Sequence, residues 1–338
     1  MPTLSRLKTP AGESGLVAVA LMIAYAVLRM SPLFAIGAFH DDAIYLALGK
    51  ALASGEGYRS VYAVGQPVHL KYPPGLPLIY AALWTIGGSL SFVATAARLL
   101  AVVVCGAAAG LIWWLARTHL GLHRGLAALW AIAPFLLEGS IQYFNLAIAE
   151  PYFILGWAVV LCLYYQMRGR TAARQQLLFA AGVGLALAAT TLLRMQGIVL
   201  IPALLLAMAL DRLRWRPMAV AAATAMLPVA TWRLIHGRLA AHGPISTQPD
   251  EAPYSAWLEL DGLGGTLSFL KRSFEVNWLA YWDGFPGYVS ELKATGIVLL
   301  ALFAVLAVAG SVLLLRRHPA VVLSVAATVA IIMFWPWP

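Results

Sequence analysis

Long apolar runs separated by short polar segments dominate this 338-residue chain. A helix needs about 20 apolar residues to cross the hydrocarbon core of a bilayer. The pattern predicts about nine spans, some of them short: Gly15–Ile36, Ser91–Leu115, Gly125–Leu137, Ala147–Gln166, Leu177–Leu193, Gln196–Leu210, Pro217–Ile235, Ala294–Leu315 and Pro319–Trp335. We therefore expect an all-α, polytopic transmembrane helical bundle that forms a single membrane domain over residues 1–338.

The composition agrees with a membrane location. Hydrophobic residues make up 62% of the chain and charged residues only 11%, whereas soluble domains carry about 25% charged residues. The formal net charge is +9, but the basic residues cluster in short loops between apolar runs, which is the pattern of topology signals. We expect membrane lipid as a partner and no binding of nucleic acid.

The basic loops also predict the orientation. With a cytoplasmic N-terminus, every basic loop falls on the cytoplasmic side, in agreement with the positive-inside rule. The residues concerned are Arg6, Lys8, Arg117, Arg124, Arg168, Arg170, Arg174, Arg212, Arg214, Arg216, Arg316 and Arg317. The apolar segment Pro74–Gly88 is too short to cross, so we expect it to lie at the outer face as a juxtamembrane helix.

This orientation places most of the acidic residues outside. Two outer loops hold most of them: residues 37–90, which carry the juxtamembrane helices, and residues 236–293. Acidic residues contribute little to topology, so their asymmetry indicates that the chemistry of the protein lies at the outer face.

A diacidic turn opens the first outer loop. Apolar residues at helical spacing predict a short amphipathic helix over Asp41–Ala53. Asp41 and Asp42 occupy its first turn, where one acidic residue explains an N-cap. A second acid, beside His40 and just past a membrane span, is more than a cap needs and favours a functional site.

Two prolines fix the backbone further along the same loop. The segment His69–Pro77 reads His-Leu-Lys-Tyr-Pro-Pro-Gly-Leu-Pro, and tandem prolines determine where the following helix starts. Lys71 is then either an interfacial lysine whose charge reaches toward water or a cation held at fixed geometry to meet an anion.

Glu150 and Arg194 lie at the outer ends of apolar helices. A charged group there is costly unless it is paired or functional. Glu150 is either functional or in a salt bridge with Arg29 or Arg98. Arg194 either binds phosphate, which a guanidinium does through a fork of donors, or pairs with Glu138 or Glu150.

In this order the motifs resemble the GT-C glycosyltransferase superfamily, above all its protein O-mannosyltransferase and lipid A aminoarabinose transferase-like branches. The motifs are a retained first helix, a diacidic outer turn, Lys71–Gly75, Ala149–Tyr152 and Leu193–Gly197, and the resemblance covers about Gly15 to Pro202. It implies an integral membrane enzyme that takes a sugar from a polyprenyl-phosphate donor. Tyr72 stands between the lysine and the prolines, unlike the Lys-Pro-Pro form of the aminoarabinose branch.

The resemblance also implies roles for individual residues. An acid of the first outer loop serves as general base, and Lys71 faces the donor phosphate. The expected catalytic residues are Asp41, Asp42 and Glu150. The expected substrate-binding residues are Tyr58, His69, Lys71, Tyr72, Arg194 and Gln196. The chain is shorter than most members of the superfamily, so we expect either a short member or a C-terminally truncated chain.

The predicted function is transfer of a sugar to a glycan, lipid or protein acceptor, with inversion, at the periplasmic face of a bacterial inner membrane. No nucleotide-binding loop is found, as suits a lipid-linked donor. Asp41, Asp42 and His69, with Glu150, are also plausible ligand types for Mg²⁺ or Mn²⁺. The alternative is a transporter or lipid flippase, which would place ionisable groups near the membrane midplane and often shows inverted repeats.

Overall fold

The computed structural model describes residues 10–29, 40–136, 147–242, 262–284, 305 and 308–334. Within these ranges the chain is helical and has no β-strand, apart from an isolated bridge between Arg59 and Val68. The prediction of an all-α fold is therefore confirmed for the described part of the chain.

Where the connection between successive helices is described, it is a short turn, except for the longer loop that joins the second helix to the third. They are α1 (Pro10–Arg29), α2 (His40–Ala53), α3 (Gly75–Gly87), α4 (Leu90–Thr118), α5 (Arg124–Leu136), α6 (Glu150–Arg168), α7 (Ala173–Leu193), a 3₁₀ helix (Met195–Val199), α8 (Leu200–Leu210), α9 (Trp215–His242), α10 (Gly262–Gly284) and α11 (Pro319–Phe334). Residues 308–315 are also helical.

Local sequence explains where α3 ends and α4 begins. Gly88 adopts a left-handed conformation with φ 64° and ends α3, and its N–H donates to the Trp84 carbonyl. Ser89 is the N-cap of α4, where its hydroxyl accepts from the Phe92 N–H at 3.3 Å. The predicted helices over Asp41–Ala53 and Pro74–Gly88 therefore appear within a residue of their expected bounds.

Among the described residues, three helices are long and apolar enough to cross a membrane: Leu90–Thr118, Ala173–Leu193 and Trp215–Ala241. Shorter apolar helices cover Gly12–Ala24, Gly75–Gly87, Met195–Leu210 and Pro319–Ile332. The structure thus supports a membrane protein with transmembrane helices, whereas a bundle of nine spans stays a prediction. Residues 30–36, 137, 294–304, 306–307 and 335 of the predicted spans lie outside the described residues.

The chain divides into two compact units. The first comprises Met1–Ile198 with Trp215–Ser246, and the second comprises Val199–Arg214 with Thr247–Pro338. In the second unit α11 packs against α8 and against α10, with the rings of Phe274 and Phe334 5.7 Å apart. All of the predicted site residues belong to the first unit.

Helix α4 is the centre of the first unit. It contacts α1, α3, α5 and α6, while α7 packs between α6 and α9. Small residues along α4 allow these close approaches, since a side chain at Gly106 would collide with Met22 of α1. At about 1.5 Å per residue, its 29 residues span about 44 Å and set the two ends of the unit apart.

An ion-pair cluster marks one end of this unit. Glu13 near the start of α1 pairs with Arg124 at 2.5 Å and with Arg117 at 3.5 Å. Arg117 also donates to the Leu122 carbonyl at 2.7 Å. Three segments predicted to share the cytoplasmic side therefore meet, at the C-terminal end of α4.

One predicted boundary is corrected. The second outer loop was expected to begin at His236, but α9 continues through His242. Beyond the predicted end of the span the helix carries buried His236, whose ring stacks on the partly buried Trp232. Residues 243–261 and 285–293 of that predicted loop lie outside the described residues.

The contact between α7 and α9 yields a prediction. A methyl group on Gly184 would collide with Thr224 Oγ1 and the Ala221 carbonyl of α9. We expect Gly184→Ala to destabilise the protein by about 1–3 kcal/mol through overpacking, measured by SDS-induced unfolding in mixed micelles. The matched control is Gly182→Ala, where the new methyl group meets only Leu163 at 3.7 Å. Equal effects of the two substitutions would contradict the packing described.

Candidate active site

The diacidic turn (Asp41 and Asp42) lies against the proline turn (Lys71–Gly75) of the same outer loop. The Tyr72 hydroxyl donates a hydrogen bond to Asp41 Oδ1 at 2.5 Å, across 31 residues of sequence. Asp41 is half-buried, and the side chain of Asp42 is fully buried. Asp42 therefore faces the interior of the unit, while Asp41 keeps part of its surface exposed.

Asp42 lies among buried tyrosines. Its Oδ1 accepts from the N–H of Ala43 at 2.9 Å. Burial above all, and then Tyr152, Tyr45 and Asp42, raises the pKa of Tyr80 well above its ordinary value. Tyr80 therefore keeps its proton at neutral pH, and Asp42 is an acid in a largely neutral, buried surrounding.

The ring of Tyr72 joins the lysine to the acids. Lys71 Nζ lies 5.3 Å from the centre of this ring, which stacks on the imidazole of His69 at 5.2 Å and tilts against Tyr45 at 4.8 Å. The hydroxyl of the same ring binds Asp41. A cation and a carboxylate are thus held close to one rigid side chain.

Tyr58 supports the proline turn from the interior of the unit. Its hydroxyl donates to the carbonyls of Tyr72 at 3.0 Å and Pro73 at 3.1 Å. Burial, followed by the effect of Tyr62, raises the pKa of Tyr58 well above its usual value, so the hydroxyl stays a donor. At 6% exposure, Tyr58 braces the loop from within instead of lining its surface.

His69 has a similar supporting role. Its Nε2 accepts from the Tyr72 N–H at 3.1 Å, so Nδ1 carries the proton that is donated to Ser60 Oγ at 3.1 Å. Burial first, then His236 and Lys71, lowers the pKa of His69 to about 3. The Ser60–His69 pair is fully buried, so a neutral His69 holds the loop and is no general base.

Two residues of α9 complete this support and were not found in the sequence. The Nε2–H of His236 donates to the carbonyl of His69, 167 residues away in sequence. Trp232 stacks on His236 at 4.7 Å, and Tyr58 meets these two rings edge-on at 5.1 and 5.7 Å. Their one sequence signal is an i, i+4 aromatic pair at the end of an apolar helix.

Glu150 and Arg194 form an ion pair of 2.5 Å between Oε1 and a guanidinium nitrogen. This is one of the two pairings expected for Arg194, and it gives Glu150 a different partner from those expected. The second carboxylate oxygen, Oε2, is buried without a hydrogen-bond partner in the described part of the chain. The ion pair connects the start of α6 to the end of α7.

The ion pair and the acidic turn share one apolar cluster. Gly75 packs so tightly on the end of α7 that a Cβ atom there would lie 2.6 Å from the Leu192 carbonyl oxygen. The cluster contains Tyr45, Tyr58, Tyr72, Tyr80, Ala149 and Tyr152, with Leu193 and Trp232 packed at its edge. Every segment with a predicted site residue therefore meets at the N-terminal end of α4, away from the Glu13 ion pairs.

Gln196 is the last predicted substrate-binding residue. It lies in the 3₁₀ helix that follows Arg194 and is 9% exposed. The turn is tight, because the Gly197 N–H donates to the Arg194 carbonyl at 2.8 Å. Gln196 is thus close to the ion pair along the chain, and its contact with substrate stays a prediction.

A metal site receives no support from the arrangement of side chains. Among the residues that the structure describes, no group of three His, Cys, Asp or Glu residues is placed to hold a metal ion. Both ring nitrogens of His69, one of the expected ligands, are occupied by protein groups. The ligand set of Asp41, Asp42, His69 and Glu150 is therefore not assembled.

Comparison of the chain with models of protein families, with curated proteins and with solved structures finds no match. The resemblance to GT-C glycosyltransferases accordingly depends on the motifs of the sequence. The geometry described above is independent of that resemblance.

The contact between His236 and His69 leads to a testable prediction. His236→Phe keeps an aromatic ring but removes the donor, so residues 58–72 should open more readily by about 0.5–1.5 kcal/mol. His236→Gln retains an N–H donor and is the matched control. Amide hydrogen exchange of this loop, followed by mass spectrometry, measures the difference. Unchanged protection in His236→Phe would contradict the contact.

The same loop should loosen at low pH. Folded His69 has a pKa of about 3 against an ordinary value of 6.5, so between these values the opened loop binds a proton that the closed loop excludes. The contribution of neutral His69 to the stability of the closed loop is fully present above pH 6.5 and is lost as the pH falls toward 3. At pH 5 the loss is about 2 kcal/mol.

Hydrogen exchange of residues 58–72 at pH 7.5 and 5, corrected for intrinsic rates, tests this pH dependence. His69→Gln, which does not titrate, should show a smaller difference between the two values; the remaining difference comes from His236, whose pKa is also lowered, chiefly by burial. A wild-type loop that is equally protected at both would show that His69 is not held neutral.

Proposed function

We propose that this protein is a membrane glycosyltransferase that moves a sugar from a polyprenyl-phosphate donor to a glycan, lipid or protein acceptor. The site is the end of the first unit at which Asp41, Lys71, Glu150 and Arg194 are found. In the proposed topology of about nine spans, this end is periplasmic in a bacterial inner membrane and the N-terminus is cytoplasmic.

One observation carries the proposal: the hydrogen bond between the Tyr72 hydroxyl and Asp41. It joins the acidic turn to the Lys-Tyr-Pro-Pro-Gly turn, the two motifs most typical of the resemblance. A structural N-cap would use the carboxylate for backbone N–H groups of its own helix. A carboxylate oriented by a neighbouring loop, and half-exposed, is better suited to act on a ligand.

Asp41 is the general base of the proposed reaction. The acceptor hydroxyl loses its proton to the Asp41 carboxylate as its oxygen attacks the anomeric carbon. The bond between that carbon and the phosphate oxygen breaks, and the electron pair leaves with the polyprenyl phosphate. Attack opposite the leaving group inverts the anomeric centre. Buried Asp42 supports Asp41 through its place in the same turn.

Lys71 stabilises the departing phosphate. Negative charge develops on the phosphate oxygen in the transition state, and a fixed cation lowers its energy without reorganisation. Arg194 is bound to Glu150 at 2.5 Å, so its main part is to fix that carboxylate. Glu150, whose side chain is 33% exposed, is then positioned to accept a hydrogen bond from a hydroxyl of the substrate.

Transfer in proteoliposomes tests the proposal. With a radiolabelled polyprenyl-phosphate sugar, Asp41→Asn should lower the rate about 100-fold or more, because the proton acceptor is lost. Asp42→Asn should also lower it. The control is Glu56→Gln, an exposed acid of the same outer loop. Full activity of Asp41→Asn and Asp42→Asn would remove the proposed base, and uptake of substrate without a glycosylated product would favour a transporter or flippase.

A further inference from the structure

The outer end of α9 borders the proposed site with a cation that no motif indicated. Arg233 lies between Trp232 and His236, the two residues that bind the 58–72 loop. It belongs to the first unit, as do all the residues of the proposed site. Its position is therefore tied to that loop by the contacts of its neighbours.

Within the described part of the chain, no neighbouring group neutralises the charge of Arg233. The side chain is exposed, and its guanidinium contacts Met195 Sδ at 3.8 Å. A thioether is a weak acceptor and cannot neutralise a guanidinium. Among the residues that the structure describes, no carboxylate lies within ion-pair distance of Arg233, whereas nearby Arg194 binds Glu150.

An arginine is unexpected at the position of Arg233 for two reasons. It lies inside a 27-residue apolar helix that is long enough to cross a membrane, where a charged side chain is costly unless it has a function. In the proposed topology it is also on the outer side, which the positive-inside rule disfavours for arginine.

Arg233 and Lys71 each lie close in sequence to one residue of the contact between His236 and His69. His236 is three residues from Arg233 and binds the carbonyl of His69, which is two residues from Lys71. Met195, which Arg233 touches, adjoins Arg194. The guanidinium therefore faces the region where the proline turn and the Glu150–Arg194 ion pair come together.

We infer that Arg233 binds the phosphate of a lipid-linked donor, together with Lys71. The inference rests on the proposed function and adds to it a phosphate-binding residue and a wall formed by α9. A guanidinium offers a planar fork of donors that matches phosphate oxygens. The apolar face of α9 next to it suits the lipid chain of such a ligand.

The test is binding without chemistry. Wild-type protein in nanodiscs is titrated with radiolabelled polyprenyl monophosphate, which carries no sugar. We expect Arg233→Ala to weaken binding about tenfold or more, because charge-assisted hydrogen bonds are lost. Arg233→Gln, a second variant of similar length, should show the same loss. Arg238→Ala removes the same charge from an exposed position of the same helix and should change binding less than about twofold.

Competition experiments distinguish a polyprenyl phosphate from other phosphate-containing ligands. Neither inorganic phosphate nor phosphatidylglycerol, each in excess, should displace the polyprenyl monophosphate. Displacement by either would identify a general anion site or the membrane surface and overturn the inference. Equal losses in Arg233→Ala and Arg238→Ala would also overturn it while leaving the proposed glycosyl transfer intact. Absence of binding by the wild type would contradict both.

Discussion

The hydrogen bond from the Tyr72 hydroxyl to Asp41 is the contact on which the account of the site depends. It is possible because the tandem prolines fix the backbone after Tyr72 and because Gly75 permits close approach to the end of α7. Tyr58 and His69 then hold the same backbone from inside. A residue inserted between the lysine and the prolines thus orients the carboxylate that we propose as the base.

The two ends of α4 carry different groups of side chains, so the two ends of the first unit are chemically distinct. Glu13 neutralises arginines at one end, while aromatic rings and the Glu150–Arg194 pair gather at the other. In an apolar membrane protein a charged group is costly, so each one is expected to have a partner or a function. The start of α1 and the loop after α4, which are predicted to share a side of the membrane, meet at these ion pairs.

Local sequence pattern was sufficient for most helices, for the short helix after the diacidic turn and for the proline turn, because apolar runs and prolines leave the backbone few alternatives. It could not find His236, since a contact across 167 residues leaves no periodic trace. It also did not decide whether Arg194 binds a phosphate or a carboxylate, because a guanidinium suits both. Tyr58 and His69 were expected to touch substrate; the structure shows both to be buried and bonded to the loop, and their contact with substrate stays a prediction.

A double-mutant cycle on Asp41→Asn and Tyr72→Phe tests the central contact most directly. Unfolding free energies of the wild type, both single variants and the double variant are measured by SDS titration in mixed micelles. A hydrogen bond to a charged group predicts a coupling energy of about 1.5–3 kcal/mol. Additive effects, with a coupling near zero, would mean that the acidic turn and the proline turn do not meet.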